Sequence, residues 1–87
     1  MKAWELLEDP KKWTTGAYAR TASGELRQSH DADATCWCTI GAIRRCYNLH
    51  EWAPKVLQLS QHVGQVPVWN DSSDHTTVIA KLKELDI

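Results

Sequence analysis

The sequence predicts a mainly α, α+β domain: a compact bundle of about four helices with a short β-hairpin near residues 17–28. Three observations carry this. Apolar residues recur at mixed three- and four-residue spacing in three stretches: Trp37, Ile40, Ile43 and Tyr47; Trp52, Val56, Leu59 and Val63; Val78, Ile79, Leu82 and Leu85. That is the period of a helix with one buried face. Between Ala17 and Gln28, "AYARTASGELRQ" alternates small or apolar with larger residues around the turn-forming "TASG", a hairpin pattern. Five tryptophans and no phenylalanine are spread over the chain, so each element can give the core one large anchor.

The elements follow in order. Residues 2–8, "KAWELLE", read as a short helix that Pro10 stops near Asp9, because proline has no amide proton and disfavours helix before it. The hairpin comes next, then "SHDAD" as loop. A second helix is expected from about Ala32 to Tyr47, capped by Asp31 or Asp33, with Arg44 and Arg45 at the negative end of its dipole. Its spacing buries Trp37, Ile40 and Ile43 and makes Cys38 inaccessible. A third helix runs from about Glu51 to Val63, with Pro54 in its first turn and Gly64 ending it. "QVPVWND" reads as extended, and Asp71 or Ser72 caps the final helix.

Eighty-seven residues make a single small globular domain, 1–87. The formal net charge is −1, from 10 basic and 11 acidic residues, which argues against broad phosphate-driven nucleic-acid binding. No apolar run approaches the ~20 residues of a membrane span. "MKAWELLEDP" places acidic residues straight after a very short apolar patch, which is wrong for a signal peptide. A cytoplasmic protein with reduced cysteines is expected.

"DADATCWCTIGAIRR" (31–45) poses the chemical question. Zinc on Cys36, Cys38 and Cys46, with His30 or His50, needs ligand atoms ~2–2.3 Å from one point. On a helix over 32–47, Cys36 and Cys38 point about 200° apart, and Cys38 and Cys46 lie about 12 Å apart along the axis. No metal and no cofactor is therefore expected. A nucleophilic Cys36 near a helix start is the second candidate; His30, His50, His62 or His75 would be its base and Asn70 or Asp71 its orienter. Nothing in the spacing selects these common residue types. Thiols acting as small buried hydrophobes fit better, and no catalytic residue is assigned. Gly41 would then let the hairpin or another helix approach closely, offsetting the ~1 kcal/mol that glycine costs inside a helix.

Binding residues are better marked. Trp13 and Trp69 precede "TTGAYAR" and "NDSSD" outside the three long helices, and Trp and Arg are enriched at binding hot spots. With Arg20, Asn70 and Asp71 they form the candidate binding set. Lys11, Lys12 and Arg20 near Trp13 and Tyr18 could also serve an anionic nucleotide. A solvated edge beside a core Trp explains the same residues, as turn and cap chemistry explains Asn70 and Asp71.

The chain resembles a family of small bacterial and phage proteins classed as a domain of unknown function. The resemblance covers about residues 4–85. It rests on Trp13, Gly16, Ala17, Ala19, Arg20 and Gly24; on Trp37, Cys38, Gly41 and Ala42; and on Asn70 and Asp71. The segment between Tyr47 and Trp69 departs from it, being short and less alanine-rich. The resemblance implies the fold outline and a bacterial or phage source, and transfers no catalytic residue.

The expected function is a small cytoplasmic binding or regulatory protein acting by protein–protein contact, such as a phage-encoded inhibitor of a host system. One alternative is a small-ligand, nucleotide-like binding protein using Trp13, Arg20, Asn70 and Asp71. The other is a cysteine-dependent hydrolase using Cys36 or Cys38.

Overall fold

Proline, glycine and capping side chains cut the chain into short elements. In the computed structural model, which describes residues 1–87, they are α1 (Ala3–Leu6), a 3-10 turn (Pro10–Lys12), β1 (Ala19–Arg20), β2 (Leu26–Arg27), β3 (Cys36–Trp37), α2 (Thr39–Cys46), α3 (Leu49–Val63), α4 (Val66–Ser72) and α5 (His75–Glu84). The α+β reading holds, with a small antiparallel sheet in the order β2–β1–β3. Ala19 faces both Arg27 and Trp37 in register. It is fully buried, and its small side chain leaves room for the Trp37 ring. The helices close over a core of Leu7, Ile43, Leu59, Val78, Leu82 and Ile87, each 0% exposed. The Ile87 carbonyl accepts from the Ala3 amide (2.6 Å) and the Tyr47 hydroxyl (2.8 Å), which ties the two ends of the chain together. No helix is long and apolar enough to cross a membrane.

The second helix corrects the sequence reading. It begins at Thr39, not Ala32, because Cys36 and Trp37 form a strand paired with Arg20 and Ala19. Asp31 and Asp33 are not its caps. Asp31 Oδ2 accepts from the Gln28 amide at 2.8 Å, and Asp33 Oδ1 pairs with Arg27 Nε at 3.0 Å. The cap is Cys38, whose Sγ accepts from the Gly41 amide at 3.3 Å. Trp37 and Ile43 are buried as the spacing requires, while Ile40 is half-buried. Cys36 therefore stands on a strand, away from the helix start that would have activated it.

The stretch "QVPVWND" is helical rather than extended. Pro67 sits in the first turn of α4, where its missing amide proton costs nothing. Asp71 and Ser72 consequently lie inside α4. Asp74 caps the last helix instead, its Oδ1 accepting from the Thr77 amide at 2.8 Å. This adds a helix to the expected four. α1 is shorter than 2–8, and α3 starts at Leu49 under an Asn48 cap. Pro54 thus falls in the second turn of α3, where its ring leaves the exposed His50 carbonyl without a helical donor. Gly64 ends α3 as expected.

Gly41 behaves as the sequence suggests. A Cβ at this position would overlap the backbone carbonyl of Tyr18, so the hairpin rides directly on the first turn of α2. The Tyr18 carbonyl also accepts from the Cys38 amide at 3.3 Å.

Candidate functional site

Asn70 ties three parts of the chain together. It is 1% exposed on α4. Its Oδ1 accepts from Trp13 Nε1 (2.9 Å), the Thr39 amide (2.9 Å) and the Thr39 hydroxyl (2.6 Å). Its Nδ2 donates to the Thr14 carbonyl and to Asp71 Oδ1, both at 3.1 Å. The carboxamide is thereby used to capacity. Asp71 Oδ1 in turn accepts from the Gly16 amide at 3.1 Å. Gly16 has φ 76°, a conformation that favours glycine and that aims its N–H at α4.

Beside this network an open groove of about 470 Å³ separates the hairpin from α2 and α4. Asn70, Asp71 and Cys38 form its polar side; Tyr18, Leu26, Ile40 and Pro67 supply apolar surface, with Arg27 and Gln28 along β2. Leu26 is 65% and Tyr18 44% exposed. Arg27 is already answered by Asp33 and Glu25.

Cys38 is buried at the groove's inner wall. Burial pushes its thiol pKa up, and the negative Asp71 adds to this, against the lowering effect of the Gly41 amide. Both effects disfavour the thiolate. Of the candidate bases, His75 contacts the Leu7 carbonyl through Nε2 at 2.6 Å, while His30, His50 and His62 are exposed and line no part of the groove. The three thiols reach three separate backbone groups. Cys36 contacts the Arg20 carbonyl, Cys46 the Lys2 carbonyl, and Cys38 the Gly41 amide.

Of the residues marked from sequence, Trp13, Asn70 and Asp71 come together, and the last two line the groove. Trp13 is half-buried, with its ring 6.1 Å from that of His75. Trp69 is half-buried against the core. Neither indole is a free surface anchor. Arg20 reaches behind the turn, its guanidinium donating to the carbonyls of Thr15 (3.2 Å) and Gly24 (3.0 Å).

The model for a family of unknown function, DUF6197, matches residues 1–85. The chain belongs to the DUF6197 family. No curated protein and no solved structure matches it. Within this DUF6197 chain, the sequence reading passed over Leu26 and Pro67, placed Tyr18 only beside a basic edge and assigned Ile40 to the core; all four line the groove. The available signal was Leu26, a large aliphatic side chain on a two-residue edge strand with no apolar partner across the hairpin.

Proposed function

We propose that this chain is a binding protein that acts by contact, taking an apolar side chain of a partner protein into the groove between the hairpin and α2–α4. One observation carries the reading. Most polar groups of the groove are spent inside the fold, the Gln28 carboxamide and Asp71 Oδ2 excepted, while its apolar walls stand open. Asn70 has no unused donor or acceptor, Asp71 Oδ1 is taken twice, and Arg27 is paired. A nucleotide-like ligand needs such groups free to fix its orientation. An apolar anchor needs only desolvated walls. The volume lies within the ~300–1,000 Å³ of small-molecule pockets, so chemistry rather than size separates the two readings. A buried Cys38 thiol whose pKa is raised, in a groove that no histidine lines, gives the hydrolase reading at Cys38 no support. The proposal includes a cytoplasmic setting, which three free cysteines suit, and a bacterial or phage source. A phage-encoded inhibitor of a host system would be one protein of this kind.

The test is to pan displayed random peptides on the folded protein and map the winners by chemical-shift perturbation. Enriched peptides should share a large apolar residue and perturb Tyr18, Leu26 and Ile40. Leu26→Asp should weaken them ~30-fold while leaving the unfolding midpoint nearly unchanged. Winners that map to another face would refute the proposal. So would a mononucleotide that perturbs the groove and binds Leu26→Asp equally well.

A further inference from the structure

A guanidinium without an acidic partner stands against Tyr18, one of the residues that line this groove. Arg44 follows groove-lining Ile40 by four residues on α2, hence about 6 Å along the same face. Its Cζ lies 5.2 Å from the centroid of Tyr18 and 4.9 Å from that of Trp52. The other arginines are committed. Arg20 holds the Thr15 and Gly24 carbonyls, Arg27 holds Asp33, and Arg45 holds the Ser29 carbonyl. Arg44 alone makes no hydrogen bond or ion pair within the chain. No buried side-chain nitrogen or oxygen lacks a partner, so its N–H groups face water.

The helix dipole and the two rings explain why a cation is stable at this position. They leave its five donors unused. The rings also hold the side chain in place, so a ligand would meet an already ordered planar fork, the geometry that matches a carboxylate bidentately. The polar side of the groove carries the reverse charge. Asp71 lies near Cys38, at the start of α2, about 9 Å along the helix axis from Arg44.

We propose that Arg44 reads an acidic side chain of the partner. The docked segment places a large apolar residue between Tyr18, Leu26 and Ile40, and an Asp or Glu a short way along the chain pairs with Arg44. Repulsion from Asp71 sets the direction in which the segment lies. This rests on the groove reading above and adds the charge and polarity of the partner.

Peptides selected as described should carry Asp or Glu at a fixed spacing from the apolar anchor. Arg44→Gln should weaken such a peptide ~10-fold or more. Replacing the peptide's acidic residue by its amide should cost the same factor on the native protein and nothing further on Arg44→Gln. Arg44→Lys should recover only part of the loss, because the fork is gone. Should Arg44→Gln fail to fold, the amide peptide on the native protein and the Arg44→Lys variant still decide. Groove-bound peptides with no acidic preference, or unaffected by Arg44→Gln, would overturn this inference and leave the groove reading standing. Peptides that bind elsewhere would overturn both.

Discussion

Replacing Asn70 with alanine tests the centre of the fold. The truncation removes five hydrogen bonds. They do not weigh equally. Thr39 is 0% exposed, so its amide and hydroxyl lose their acceptor where water cannot replace it. Each buried orphan costs about 1–3 kcal/mol. Trp13 Nε1 and the Thr14 carbonyl are only part-buried, so water offsets much of their loss, and each contributes less than 1 kcal/mol, about the net worth of an ordinary bond. The sum is about 2–8 kcal/mol. A domain of this size has roughly 4–13 kcal/mol in total, and each kcal/mol lowers its melting temperature by about 4–8 °C. Asn70→Ala should therefore melt at least ~8 °C lower. Asn70→Asp keeps the acceptor for Trp13 and Thr39 but sets an oxygen against the Thr14 carbonyl and Asp71. It too should be clearly destabilised at neutral pH. Denaturant unfolding followed by tryptophan fluorescence measures both. A loss below ~1 kcal/mol for Asn70→Ala would show that these bonds do not hold α4 to the sheet and α2.

Other outcomes follow from the same geometry. Gly41→Ala drives a methyl into the Tyr18 carbonyl and should cost ~3 kcal/mol or more, read by denaturant midpoint; near-neutral behaviour would mean that the hairpin does not rest on α2. Native Cys38 should react with a thiol reagent far more slowly than in denaturant, since burial both shields it and raises its pKa. Cys38→Ala should cost about 1–2 kcal/mol through the small cavity and the lost cap; rapid native labelling would contradict the burial. Asp74 has its carboxyl pKa lowered by its hydrogen bonds to Thr77. A group depressed in the folded state stabilises above its unfolded pKa and loses that contribution as pH falls through the folded value. Acid should thus erode native stability below the usual carboxylate range, and Asp74→Ala should flatten that limb of the pH–stability curve. An unchanged limb would deny the cap.

Where one local signal dominates, the amino-acid order alone determined the element. α3 and α5 have long apolar stripes and polar caps, α3 has a glycine stop, and the hairpin has its turn at "TASG". All three lie close to where local chemistry places them. Gly41 was legible for the same reason, since a glycine inside a helix needs a neighbour to justify it. Positions 36–38 were not legible, because alternation and helical spacing both fit "CWC". Pairing of Cys36 and Trp37 with Arg20 and Ala19 decided between them, and that pairing joins residues far apart in the chain. The α4 helix escaped for a related reason. Its seven residues are too few to be stable alone, and it forms because Asn70 is gripped by Trp13, Thr14 and Thr39. The site divides in the same way. Asn70 and Asp71 were visible as unusual polar residues, but that Asn70 is saturated while Tyr18, Leu26 and Arg44 remain open depends on which groups meet in space. Hydrogen-bond capacity is a property of a side chain, whereas its consumption is a property of the fold.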